Sequence, residues 1–297
     1  MALSNRRPIL IFGSTGQVGQ HLCELLGSQA VGASSAMADF TKPDTILNTL
    51  QSTQPAMVIN AAAYTAVDRA ESEKELALQI NAIAPGLIAD FCASHGIPLV
   101  HYSTDYVFSG KKSGAYREDD FPDPINVYGK TKFEGERRIE NAHGKYLIFR
   151  TSWVYSEHGH NFVKTMLRLG AERESLKIVN DQTGCPTSAH DIAVATTRAI
   201  DMALGTASFP SGIYNMTGSD HCTWYEFATD IFASAKRIGF PLIVKNIEPT
   251  TTAEYPTAAT RPLNSVLNND KLEQKFKVKL PSWHKSLQSV LEKIYEN

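Results

Sequence analysis

Tyr128 and Lys132 stand four positions apart in the stretch Asn126 to Glu140, whose pattern predicts a helix, so both side chains share one face. A phenol with a pKa of about 10 exchanges protons poorly at neutral pH, and a neighbouring ammonium favours the phenolate and lowers that value. Such a pair suits proton transfer to or from a carbonyl oxygen. Alone it is common by chance, and a surface tyrosine beside a solvated lysine is the ordinary alternative. Ser103-Thr104-Asp105 adds a second element, because it closes the apolar run Ile97 to Ser103, which reads as a strand. A Thr104 hydroxyl at the carboxyl end of a strand can hydrogen-bond the same carbonyl oxygen.

A third element lies near the start. Gly13-Ser14-Thr15-Gly16-Gln17-Val18-Gly19 places three glycines between the apolar run Pro8 to Phe12 and the helical pattern Gln17 to Leu26. A tight turn without side chains lets a pyrophosphate reach the amides of a helix N-terminus, where the dipole favours negative charge. The reading is a dinucleotide cradle, with nicotinamide as the group that Tyr128 and Thr104 would serve. The region where an acidic residue usually accepts the ribose 2′-hydroxyl reads Ala30 to Phe40, with no acid before Asp39. Asp39 falls late and is placed beside the adenine. Ser34 and Ser35 do not repel a 2′-phosphate and no arginine grips one, so the balance inclines to NADPH over NADH.

The elements that must hold these groups alternate. Buried strands are expected at Pro8–Phe12, Met57–Asn60, Ile97–Ser103 and Lys145–Arg150, and helices at Gln17–Leu26, Leu76–Ala93 and Asn126–Glu140. This rhythm implies an α/β protein with a doubly wound parallel sheet. After Trp153 the runs shorten, and Pro and Thr cluster near Thr183–Thr187 and Pro249–Thr257. Residues 1–153 are therefore read as the dinucleotide-binding domain and 154–297 mainly as a smaller substrate-binding part, with later segments returning to the sheet.

The 297 residues carry 29 basic and 31 acidic side chains, formal charge −2, which leaves no excess to hold nucleic acid or an anionic membrane. No apolar run approaches the roughly 20 residues of a membrane span, and Met1 to Arg7 leads directly into a strand rather than a signal peptide. Cys23, Cys92, Cys185 and Cys222 lack metal or disulfide spacing and read as idle thiols in a reducing cytoplasm.

The glycine motif, Thr104 and the Tyr128–Lys132 pair together resemble the extended branch of the short-chain dehydrogenase/reductases, whose fold is Rossmann-like. The likeness is closer to dTDP-4-dehydrorhamnose reductases. It is carried by Asn60–Glu71, His101–Phe108, Asn126–Lys132, Phe149–Tyr155, Asn161–Leu167, Asn180–Thr187 and Arg261–Ser265, and runs from about residue 8 to residue 290. The resemblance implies reduction of the 4-keto group of dTDP-4-dehydro-β-L-rhamnose by NADPH or NADH, with Thr104, Tyr128 and Lys132 catalytic. It implies cofactor contacts from Gly13, Thr15, Gly16, Gln17, Val18, Gly19, Asp39, Phe40, Ala62, Ala63, Tyr64, Tyr102, Tyr128 and Lys132. Sugar-nucleotide contacts would come from Val67, Asp68, Thr104, Asp105, Trp153 and Asn161, and the fork of Arg261 suits a diphosphate. The expected partner is a dTDP-sugar, without nucleic acid or membrane, and a homodimer is left open.

Bland readings stand beside several of these. Trp153 could be core, Asp105 a loop cap, and Asp68 a surface partner of Arg69 or Lys74. Two other functions compete: reduction or epimerisation of a different nucleotide sugar, and a non-catalytic dinucleotide-binding regulatory subunit. The complete quartet Thr104, Asp105, Tyr128 and Lys132 favours catalysis. Some members of the resembled family dimerise through a metal held by acidic side chains. The corresponding positions here are His21 and His190, imidazoles unsuited to Mg²⁺. They are read as solvated helix residues, and no metal is expected.

Overall fold

The computed structural model describes residues 7–296. Residues 1–6, most of the lead-in to the first strand, lie outside them.

The apolar runs form strands because each is buried on both faces, as a parallel sheet covered by helices requires. Ile9–Phe12, Ala30–Ala33, Met57–Asn60, Leu99–Thr104, Tyr146–Thr151 and Gly212–Asn215 make one parallel sheet of six strands. Ile9 lies opposite Ala30 on one side and Met57 on the other. Chain order reverses at this first strand, so the crevice beyond Phe12 and Asn60 is the switch point where doubly wound sheets bind ligands. The sixth strand returns from the second half to pair with Tyr146–Thr151.

Helices cover both faces. Gln17–Leu26 and Ala189–Leu204 pack on one, where Leu22, Ile192 and Ile200 join Ile11, Val100 and Phe149 in a core cluster. The other face holds Ile46, Leu50, Ile88 and Ile139 over Leu10, Val58 and Ile148. The helix expected at Leu76–Ala93 runs Lys74–Ser94 and widens into a π turn at Gln79–Ile83. Pro85 lies just beyond; its ring would clash with the carbonyl four residues back, and a wider turn relieves that clash. By length and composition this helix could cross a membrane, but half of its apolar window is buried inside the protein.

Residues beyond Trp153 build a separate apolar cluster in which Val163, Phe227, Ile231, Trp283 and Leu287 meet from three helices, Phe162–Glu172, Trp224–Ile238 and Trp283–Glu296. A two-stranded parallel ribbon, Ser175–Val179 with Asn246–Thr250, lies beside it. The four cysteines are free; burial raises Cys92 to about 12 and Cys185 to about 11.

Candidate active site

The glycine loop is packed backbone to backbone. Gly13 has φ +75°, and a Cβ there would stand 2.6 Å from the Ala62 nitrogen; one on Gly19 would stand 2.8 Å from the Gly13 carbonyl carbon. Gly16 starts the Gln17–Leu26 helix, and no side chain caps it. The first-turn amides therefore face the crevice without a protein acceptor from a cap, as an anion site requires. Thr15 and Gly16 are exposed, Gln17 and Val18 half-buried at the rim. Ala62 donates its backbone N–H to Asn60 Oδ1, and Ala63 and Tyr64 continue along the crevice. The Tyr64 hydroxyl donates to Glu73 at 2.5 Å. Phe40 packs edge-on to Phe12, while Asp39 turns to Thr41 and Lys42, bonds that hold its carboxylate below the usual range. This cradle fits a dinucleotide. Tyr102 departs from the expectation: its side chain is buried in the core, 2.7 Å from the Thr196 hydroxyl, because alternate strand residues point away from the crevice.

Tyr128 is placed by clamps at the start of its helix, Val127–Asn141. Asn126 accepts from the Gly129 amide at 2.8 Å and donates to the Thr260 carbonyl at 2.8 Å, while Glu71 accepts from the Val127 amide. Thr104 ends its strand with Oγ1 donating to Asp105 Oδ1 at 2.9 Å and accepting from the Tyr106 amide. Burial raises Asp105 to about 7 against the hydrogen bonds from Ser265 and Thr104. A neutral Asp105 can give its proton to Thr104, which frees the Thr104 proton for another acceptor.

Tyr128 is not acidified by Lys132 here. Burial raises the phenol to about 12, the Thr104 hydroxyl opposes that rise and Asp105 adds to it. The physical reason is where the amine points. Lys132 Nζ donates to the Tyr102 carbonyl at 2.6 Å and lies 3.3 Å from His101 Nε2. Burial lowers Lys132 itself to about 8, partly offset by Glu136. Asn60 Oδ1 accepts from a backbone N–H, so Nδ2 faces His101 Nδ1, 3.1 Å away, as donor. The imidazole, which burial keeps neutral, then carries its proton on Nε2 and presents it to Lys132. A neutral amine accepts that bond; an ammonium repels it.

Across the crevice a cleft of about 680 Å³ is lined by Asp68, Phe162, Gln182, Trp224, Tyr255 and Arg261, among others. Asp68 and Arg261 are joined to each other, with contacts of 2.6 and 3.1 Å, rather than Asp68 to Arg69 or Lys74; Arg69 pairs with Glu73. The Arg261 hydrogen bond lowers the Asp68 carboxylate. Val67 opens the short helix Val67–Ala70 beside this pair. Asn161 caps the helix Phe162–Glu172 and donates to Gln17 Oε1 at 2.9 Å, which ties the cleft to the glycine loop. Trp153 adopts φ +46° and stacks on Trp224 at 3.4 Å and 6°. A positive φ is rare for a bulky residue and marks a position held by its surroundings.

Sequence reasoning missed Trp224, whose indole donates to the buried Gln182, and the cationic Arg173 and Lys177 in the same cleft. Trp224 opens a helix with an evident capping box, Thr223 to Glu226, which hides its second role. His21 also corrects the reading, whereas His190 stays part-exposed at the start of the helix Ala189–Leu204. His21 is 1% exposed, between Glu24 and Glu157, with the His158 and His190 rings 5.2 and 5.5 Å away. It is buried because Ala189–Leu204 packs across its helix. An oxygen-ligand magnesium site does not fit these imidazoles.

The family model described as RmlD substrate binding domain matches residues 6–296. The chain is 42% identical to the dTDP-4-dehydrorhamnose reductase of Escherichia coli K12 over 97% of its length and 98% of that protein. It is 43% identical to the protein of the same name from Burkholderia thailandensis, covering 93% and 95%. Among solved structures, the dTDP-4-dehydrorhamnose reductase of Bacillus anthracis in complex with NADP superposes with a TM-score of 0.89 at 36% identity, over 97% of this chain and 100% of that one.

Proposed function

Since the chain belongs to the dTDP-4-dehydrorhamnose reductase family, we propose how its own residues carry out that family's reaction: reduction of the 4-keto group of dTDP-4-dehydro-β-L-rhamnose to dTDP-L-rhamnose. A nicotinamide dinucleotide bound along Gly13, Thr15, Gly16, Gln17, Val18 and Gly19 supplies the hydride. Tyr128 supplies the proton. The observation that carries this assignment is positional: the Tyr128 phenol lies beside the Thr104 hydroxyl, at the head of a helix clamped by Asn126 and Glu71, and burial keeps it protonated at neutral pH. Thr104 orients the ketone oxygen beside it, and the two donors stabilise the alkoxide as it forms. Asp105, which accepts from the Thr104 hydroxyl at 2.9 Å, fixes the position of that hydroxyl. Lys132, held by Tyr102 and His101, orients the ribose side, and Tyr128 regains its proton from solvent after turnover.

Trp224, backed by Trp153, forms a rigid wall for the sugar nucleotide, and Arg173, Lys177 and Arg261 place positive charge where a diphosphate would lie. The Asp68–Arg261 pair opens when a phosphate competes for the guanidinium. NADPH is preferred over NADH because no acid stands between Ala30 and Ala38. The reducing cytoplasm suits the free thiols.

Nicotinamide absorbance followed with dTDP-4-dehydrorhamnose and with other 4-keto nucleotide sugars, against NADPH and NADH, tests the reading. The expected result is turnover with the dTDP-sugar and faster reaction with NADPH. Turnover only with a differently based nucleotide would overturn the substrate, and faster reaction with NADH the cofactor preference.

A further inference from the structure

Between the first helix and the segment after Tyr155, three buried side-chain atoms make no hydrogen bond: His21 Nδ1, His21 Nε2 and Glu157 Oε2. An unmatched buried polar group is destabilising, so three at one point call for a partner. His21 Nε2 lies 3.4 Å from Glu157 Oε2. One ligand atom from each of His21, Glu157 and His158 falls within 4.8 Å of the others. We infer that His21, Glu157 and His158 bind a zinc-type divalent ion.

Geometry and chemistry agree. Bonds of about 2.0–2.1 Å in a tetrahedron put neighbouring donor atoms roughly 3.4 Å apart; His21 Nε2 and Glu157 Oε2 stand at that separation, and the His158 ligand atom lies within 4.8 Å of both. Two imidazoles and one carboxylate suit zinc, and a water completes the set, since His158 is part exposed and opens the site to solvent. Burial is the main influence on His21 and lowers its pKa, which leaves the imidazole neutral with a lone pair to give.

The surroundings complete the arrangement. Glu24 Oε2 lies 3.4 Å from His21 Nδ1, where a carboxylate fixes the tautomer of a metal-bound histidine. Lys293 donates to Glu157 Oε1 at 2.9 Å and leaves Oε2 for the ion. The ion would staple the cofactor-loop helix to the segment ending at Asn161, parallel to the Asn161–Gln17 hydrogen bond.

The test is titration of chelator-treated full-length protein with Co²⁺ and Zn²⁺. The expected result is one equivalent of Co²⁺ with the visible absorption of a tetrahedral centre, displaced by Zn²⁺ and indifferent to Mg²⁺. Zn²⁺ raises Tm because it binds the folded chain. His158→Ala, at a part-exposed loop position, and Glu157→Gln each weaken Co²⁺ binding by about 100-fold or more. Glu24→Gln weakens it by about 10- to 100-fold, as loss of an outer hydrogen bond does. No stoichiometric Co²⁺ binding by the parent protein would overturn the site. So would binding that folded His158→Ala and Glu157→Gln both retain unchanged.

Discussion

Gly184→Ala should damage sugar recognition and spare cofactor binding. A Cβ on Gly184 would stand 2.6 Å from Trp153 Nε1 and 2.8 Å from Cζ2, and closer still to Cε2. Cε2 is a ring-fusion atom, so this approach is onto the face of the indole. Trp224 covers the opposite face, parallel within 6° and 3.4 Å away, so the indole has nowhere to retreat. Ordinary carbon contacts lie at about 3.5–4.0 Å, which demands a shift of roughly 1 Å. Trp224 cannot simply follow, because its Nε1 is bonded to Gln182 and Phe162 packs against it. Overpacking of this kind costs about 1–3 kcal/mol of stability. A 1 Å misplacement of a positioning group costs on the order of 100-fold in rate. The assay is steady-state kcat/KM for dTDP-4-dehydrorhamnose, alongside NADPH affinity from nicotinamide fluorescence. Sugar-dependent kcat/KM should fall by about 100-fold with cofactor affinity unchanged. Gly205→Ala is the control, since its Cβ would meet nothing nearer than 3.6 Å. A folded Gly184→Ala protein with undiminished kcat/KM would refute the role of the tryptophan pair.

Tyr128→Phe should lower kcat by about 10² to 10⁴ with NADPH binding intact, as loss of a general acid does; undiminished turnover would show that the proton comes from another group. Gly16→Val should weaken NADPH binding at least about tenfold with little change in Tm, because its Cβ meets only the Gly13 carbonyl at 3.3 Å while the rest of the side chain enters the cradle; equal losses in Tm and affinity would assign the residue to folding. Asp105→Asn should stabilise the cofactor-free protein in a pH-dependent way. The folded chain keeps the Asp105 proton up to about 7 whereas the unfolded chain releases it near 3.8, so the Asp105 contribution falls as pH rises through that window. The variant's advantage grows from pH 4 to pH 7 and then levels off, reaching at most about 4 kcal/mol. Urea denaturation at pH 4 and pH 8 measures it, and a pH-independent difference would contradict the buried carboxyl.

The cofactor end was legible because its signals are local. Gly13, Gly16 and Gly19 sit within one turn between an apolar run and a helix, and backbone chemistry leaves few other uses for that spacing. Tyr128 and Lys132 were legible as a pair by helical period, but their proton chemistry was not. Whether Lys132 acidifies Tyr128 depends on which atoms surround each amine and phenol, and Tyr102, His101 and Asn60 arrive from two other strands. Asp68 with Arg261, and Trp153 with Trp224, are meetings of distant segments that no periodicity encodes. His21 read as solvated because its own helix pattern is amphipathic, while the helix that covers it begins at Ala189.

Asp68 to Arg261 and Asn161 to Gln17 are polar links across the crevice between part-exposed groups, while the buried Asn126 donates to the Thr260 carbonyl. Such polar links contribute little in water, where each partner can be solvated instead. On the proposed reading, a diphosphate would satisfy the same groups at Arg261 and a pyrophosphate at the Gln17 helix. Asp105 and Lys132 differ, since both are buried with shifted pKa values before any ligand arrives. On that reading, binding would draw on the exposed links, and proton transfer on groups whose pKa values burial has moved toward neutrality.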